Sequence, residues 1–496
     1  MLFNSIAFLI FFPVVTTLYF LLGHKYRWFL LLAASCFFYM YLIPVYILVL
    51  FALITIDYFA GILIENAKEH KQKKMFLIVS IIATCGVLFI FKYFNFFNAN
   101  MAFLAQVIGW NYSIAALHLL LPVGLSFHTF QSLSYVIEVY YGRQKAERNF
   151  GIYALFVMFY PQLVAGPIER SRRMLYQFYE EHYFDYVRVT DGLKLMVWGI
   201  FKKVVIADRL AVLVNRVYAN PQAYEGPQLI LATVFFAVQV YCDFSGYSDI
   251  AIGSAEVMGF KLTKNFNLPY HARNVADFYK RWHISLSTWF RDYVYFPIYI
   301  SLHKKGELVM LSYKYYFSIF ITFLLSGLWH GANWTFVIWG ALTGIYLVLE
   351  TMTNEARTKT ISFLKIDKVP FLLTFLEVSF TFALICFADI FFRSNSLSDA
   401  FYIITHLFSG LQGIFNLDTL VFKFGGLGLV KSEFLIAVFS ILTLEFVEIM
   451  STRIDIRKEI HTLPVCVRWA LYSGIVYVIL LFGSFNNTAK FIYFQF

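Results

Sequence analysis

The chain has 496 residues, 60% hydrophobic and 20% aromatic, with only 14% charged. Globular chains average about 25% charged residues, so the composition excludes an ordinary water-soluble domain and points to a bilayer. The net charge of +10 does not indicate a nucleic-acid partner, because the basic residues fall in short loops between apolar runs, where the positive-inside rule places them.

A membrane helix needs roughly 20 apolar residues. Strong windows lie at 2–22, 46–64, 76–97, 315–328, 335–349, 371–392, 434–450 and 469–482. Weaker, polar-interrupted windows lie at 28–43, 117–139, 151–165, 193–213 and 229–258. Together they predict an all-α polytopic integral membrane protein of about 11–12 transmembrane or re-entrant helices. No linker, low-complexity tract or internal repeat interrupts it, so 1–496 reads as a single membrane-embedded domain with a motif-bearing core at about 120–350. The opening "MLFNSIAFLIFFPVV" has no basic n-region and no small-residue cleavage pattern, so the first span is expected to be retained. The five cysteines lie in or beside apolar runs without metal-ligand spacing, and read as buried small hydrophobes.

Loop charge sets the expected topology. "HKYR" (24–27), "KEHKQKK" (68–74) and "RQKAER" (143–148) are basic, whereas 95–115 has no Lys or Arg. The basic loops are assigned to the cytoplasm and the first residues to the outside. Further along, 219–228, 393–432 and the C-terminus read as external, and 261–281, 352–368 and 451–468 as cytoplasmic. His330 then joins a helix running outward to one running back.

Four constellations carry candidate chemistry. "LVAGPIERSRR" (163–173) turns a short apolar run at Gly166-Pro167, which predicts a re-entrant hairpin. Its arginines read either as topology determinants or as a headgroup or phosphate site. "QVYCDFSGYSDIAIG" (239–253) places Asp243, Ser245 and Asp249 in an apolar helix, with Gly246 permitting close helix approach. Buried charge costs roughly 2.5–3.5 kcal/mol per residue by insertion scales. These acids therefore pair with Lys203, Arg281 or Arg291 to hold helices together, or serve a cation path or substrate. "YKRWHISLSTWFRDYVYFP" (279–297) has helical spacing that puts His283, Ser287 and Phe290 on one face. It reads as an amphipathic interfacial helix, or as a cytoplasm-facing platform where Lys280, Arg281 and Arg291 meet an anionic cofactor, with His283 pointing inward. "SGLWHGANW" (326–334) sets His330 in a turn. A neutral imidazole accepts a proton without a fixed membrane charge. Gly327, Gly331 and Ala332 leave room for substrate, Asn333 orients the ring, and Trp329, Trp334 and Trp339 wall a pocket. The alternative is a packed corner histidine with a capping Asn. No nucleotide-binding loop or zinc motif occurs.

Five segments stand in the order "LPVGLSFHTFQSLSYVIEVYYG" (121–142), "LVAGPIER" (163–170), "VYCDFSGYSDIAIG" (240–253), "RWHISLSTWFRDYVY" (281–295) and "SGLWHGANW" (326–334), followed by "KFIYFQF" at the end. In this order they resemble the membrane-bound O-acyltransferase family, in its bacterial alginate and exopolysaccharide O-acetyltransferase branch. The resemblance covers nearly the whole chain. It implies helices around a central tunnel in the bacterial inner membrane, with an acetyl group moving from cytoplasmic acetyl-CoA to a hydroxyl of an extracytoplasmic polysaccharide, usually through a periplasmic acetyltransferase partner. No permanently bound cofactor or metal is implied. The family's catalytic histidine carries over to His330 and its second histidine to His283. Substrate contacts are expected from Trp282, Trp329, Asn333, Arg281, Arg291, Asp243 and Ser245, and lipid is the surrounding partner. The D-alanyl-transferring and peptidoglycan-acetylating branches share the histidines. A reading from another class, an ion-coupled transporter using Asp243 and Asp249, predicts inverted repeats, and none is found.

Overall fold

The computed structural model describes residues 1–41, 43–302, 313–412, 427–485 and 491–492, and every regular element among them is helical. Part of the stretch expected outside (413–426) and most of the terminal "KFIYFQF" lie outside the described residues.

Seven described helices are long and apolar enough to cross a membrane: Tyr46–Asn66, His70–Val107, Gly226–Met258, Trp334–Phe363, Pro370–Arg393, Lys431–Ser451 and Val465–Phe482. Shorter helices at Ile6–Leu21, His24–Met40, Leu125–Tyr140, Tyr186–Ile200 and Tyr313–His330 account for other apolar windows. The expected 117–139 span begins only at Leu125, because Pro122 and a left-handed Gly124 (φ 77°) set the helix start. The 151–165 window forms the nine-residue helix Phe150–Met158, followed by buried turns through Gly166. At about 1.5 Å per residue such a helix falls well short of a bilayer.

The chain forms two compact units: Met1–Met196 with Ser248–Thr263, and Val197–Tyr247 with Lys264–Phe496. In the first, buried Glu169 accepts the Thr263 N–H and, at 3.0 Å, its hydroxyl, which anchors the segment after Gly166-Pro167. Arg172 and Arg143 reach Glu138 at 3.7 and 3.5 Å. Asp57 is fully buried and is stabilised by the hydroxyls of Ser80 (2.6 Å) and Thr84 (3.2 Å).

The second unit contains a buried ionic network. Lys203 Nζ lies 2.7 Å from both Asp208 and Asp243, Asp243 accepts the Ile492 N–H at 2.8 Å, and Lys202 donates to Ser245 at 2.9 Å. Paired and hydrogen-bonded charges of this kind escape most of the burial penalty. Gly246 meets the Gly199 carbonyl, where an added Cβ would stand 2.7 Å away, so the close helix approach read from the sequence is present. Three thiols depart from expectation: Cys242 and Cys386 are buried, but Cys36 is half-buried, and Cys85 and Cys466 are exposed on spans, where lipid makes exposure of an apolar thiol inexpensive.

Candidate active site

His330 is the last residue of the Tyr313–His330 helix, and Asn333 caps the next helix, Trp334–Phe363, by accepting the Thr335 N–H at 3.1 Å. The two helices form an antiparallel hairpin. A Cβ on Gly327 would stand 2.3 Å from the Phe336 carbonyl and 2.9 Å from Gly340 Cα. A Cβ on Gly331 would enter the Phe336 ring. The glycines around His330 therefore admit the neighbouring helix, and the expected space for substrate beside them is filled by protein. The Asn333 side-chain oxygen is used as a helix cap, and the residue does not line the cavity described below. The His330 ring, 6% exposed, is walled by Trp329, Trp339 and Phe392, with ring centroids at 4.8, 5.0 and 5.3 Å.

His283 interrupts what the spacing predicted as one helix. Two seven-residue helices, Val275–Arg281 and Ile284–Phe290, flank it. His283 itself is left-handed (φ 44°, ψ 54°), a conformation unusual for a non-glycine residue and one that clusters at functional sites. Asn265 holds this break open. Its backbone carbonyl accepts the Ile284 N–H at 2.9 Å, and Asn267 N–H reaches the Arg281 carbonyl at 2.9 Å. The side-chain oxygen of Asn265 accepts from Ser285 N (3.2 Å) and Ser285 Oγ (2.9 Å) and lies 3.2 Å from His283 Nδ1. The His283 ring is 1% exposed and sits edge-on to Phe244 at 4.6 Å and 6.5 Å from Trp329. Burial pushes this imidazole, which lies outside the apolar spans, down to about 3, so it stays neutral at physiological pH.

Both histidines line one cavity of about 370 Å³ within the second unit. Trp282, Trp339 and Ser287 line it with them. Lys280 and Arg291 also line it, yet both are solvent-exposed. The cavity thus runs from a cationic rim to two buried imidazoles. Such a shape suits a long ligand with an anionic end and a reactive end.

Of the other expected substrate contacts, Trp329 packs between the two histidine rings without lining the cavity itself. Arg281 is held by Asp277 at 2.9 Å, and Asp243 and Ser245 belong to the lysine network; none of these three lines the cavity. Of the open readings for the acids, pairing with Lys203 is the one seen for Asp243. Asn265 and Asp389 went unnoticed in the sequence. Asp389 is buried and accepts a hydrogen bond from Trp339, which packs on His330. Nothing local marks Asn265, while an acid inside the apolar 371–392 window was a readable signal for Asp389. Among the described residues no His, Cys, Asp and Glu cluster could hold a metal ion.

Residues 149–392 match the sequence model of the membrane-bound O-acyltransferase family. A probable alginate O-acetylase from Pseudomonas aeruginosa is 38% identical over 413 residues, covering 82% of this chain and 75% of that protein. A peptidoglycan O-acetyltransferase from Helicobacter pylori is 34% identical, over 77% of this chain and 74% of its own length. A teichoic acid D-alanyltransferase from Bacillus subtilis is 28% identical over 53% of this chain and 67% of its own length. The matched segment contains both histidines, their cavity and the Asn265 brace, and the chain belongs to the membrane-bound O-acyltransferase family, as a multi-pass membrane acyltransferase.

Proposed function

We propose that the protein transfers acetyl groups from cytoplasmic acetyl-CoA to a hydroxyl of an extracytoplasmic polysaccharide, with a periplasmic acetyltransferase as the relay. The observation that supports this most is the single cavity lined by both His283 and His330, with Lys280 and Arg291 at its exposed end. Phosphates of the donor would meet the cationic rim, and the thioester would reach inward to the histidines. His330 acts as the general base. It takes the proton of the acceptor hydroxyl as the oxygen attacks the thioester carbonyl. The new C–O bond forms, the C–S bond breaks, and the proton passes to the departing thiolate to give CoA thiol. General-base help of this kind is worth roughly 10²–10⁴-fold. The aromatic wall of Trp329, Trp339 and Phe392 keeps bulk water from the imidazole and so limits hydrolysis. The whole chain works as one acyltransferase domain.

Oriented membrane vesicles given labelled acetyl-CoA test the proposal. Wild type should consume the thioester only when its cytoplasmic face is accessible, and His330→Ala, matched for folded protein, should lose transfer by at least about 100-fold. Full transfer by His330→Ala would reduce that residue to a packed corner. Turnover of a D-alanyl carrier thioester in place of acetyl-CoA would move the protein to the D-alanyl branch.

A further inference from the structure

We propose that Asn265 is a positioning residue that fixes His283 in the Nδ1–H tautomer, so that His283 enters the reaction as a hydrogen-bond acceptor through Nε2. The tautomer follows from a backbone group. Ser285 N–H can only donate, and it points at the Asn265 side chain at 3.2 Å. The amide atom facing it must be the oxygen, because the –NH₂ group would set donor against donor. The same oxygen lies 3.2 Å from His283 Nδ1. Nδ1 therefore carries the proton, and in a neutral imidazole the other nitrogen is then an acceptor.

The arrangement is fixed from several sides. The backbone of 265–267 is joined to 281–284 by two hydrogen bonds of 2.9 Å, so the amide cannot drift from the ring. Asn265 is 1% exposed, which keeps water from replacing it. His283 adopts its left-handed backbone at this contact, a strained conformation for a non-glycine residue that simple core packing does not require. The ring meets Phe244, Phe266 and Trp329, none of them titratable. The titratable groups that share its cavity are Tyr279, Lys280, Arg291, Tyr295 and His330.

A consequence for the chemistry rests on the acetyl-transfer reading above. A neutral His283 with an unprotonated Nε2 cannot donate a hydrogen bond to the thioester carbonyl. It can receive one from the acceptor hydroxyl and so orient the nucleophile beside His330.

The tautomer can be read without any activity assay. In the full-length protein with ¹⁵N-labelled histidine, the His283 signals are those lost in His283→Gln. A protonated-type Nδ1 with an unprotonated-type Nε2 is expected, and the reverse pattern overturns the proposal. Kinetics give the second arm. Asn265→Ala should lower kcat by about 10-fold or more, the usual scale for a residue that orients a reacting group, with the donor KM nearly unchanged. Asn265→Asp keeps the acceptor but places a carboxylate against Nδ1–H, which favours the imidazolium. Its activity should develop an acid limb at higher pH than in wild type, which a packing role would not produce. If folded Asn265→Ala and Asn265→Asp both keep the wild-type kcat and pH profile, Asn265 is structural only. A wild-type protein inert towards acetyl-CoA would instead count against the proposed function, and the nitrogen spectrum would still decide the tautomer.

Discussion

Gly327 and Gly340 lie so close that a Cβ added to Gly327 would stand 2.9 Å from Gly340 Cα. The pair sets how near the two helices flanking His330 approach, and therefore where the imidazole sits. Gly327→Ala should force the hairpin apart and cost about 1–3 kcal/mol, the usual range for overpacking. Thermal unfolding in detergent measures the loss, and transfer activity per folded molecule should fall with it. Gly474→Ala, a helix position where nothing lies within 4 Å of the added carbon, is the control and should lower neither.

The Lys203 network predicts a different pattern. Asp243→Ala leaves a buried ammonium with one carboxylate instead of two. Breaking a buried pair typically costs about 3–5 kcal/mol, so the apparent melting temperature should drop sharply. Because Asp243 does not line the cavity, the donor KM of the fraction that folds should match wild type. A raised KM at normal stability would return Asp243 to the substrate contacts.

Lys280 and Arg291 are the exposed cations of the cavity. Exposed ion pairs are worth about 0.2–1 kcal/mol each. Lys280→Gln with Arg291→Gln should therefore raise the KM for an anionic donor a few-fold and leave kcat unchanged. Screening is nearly complete in about 1 M salt, so wild type and variant should converge there in a steady-state titration.

His283 makes acid stability testable. Its folded-state pKa of about 3 lies below the ordinary histidine value. Between these values the unfolded chain binds a proton that the folded chain does not, so stability rises with pH across that window and is lost as pH falls through it. Removing the imidazole with His283→Gln should flatten this dependence by up to one proton's slope, about 1.4 kcal/mol per pH unit. Parallel denaturation curves for the two proteins from pH 4 to pH 6 would rule out a buried neutral His283.

Much was legible in the chain because the bilayer imposes a local code. A spanning segment must be apolar and helical over its own length, so the windows at 46–64, 335–349 and 371–392 became Tyr46–Asn66, Trp334–Phe363 and Pro370–Arg393. The Gly166-Pro167 signal also acted locally, whereas the window at 117–139 ran through Pro122 and Gly124, where the helix in fact starts. The 281–295 motif shows the limit. Its spacing fits one helix, yet an amide 18 residues away in sequence takes the His283 ring and the Ser285 N–H and breaks the helix between them.

The sequence by itself determined the helical, membrane-embedded class, the family and the two histidines, because hydropathy, helix period and ordered motifs are properties of short stretches. Only the tertiary structure decided that His283 and His330 share a cavity, that Asp243 answers Lys203 and that Asn333 caps a helix. Each of these depends on which nearby polar group offers a buried atom its partner. In a low-dielectric interior an unmet polar group is costly, so those partnerships fix the roles, and they form between residues that the chain order does not place side by side.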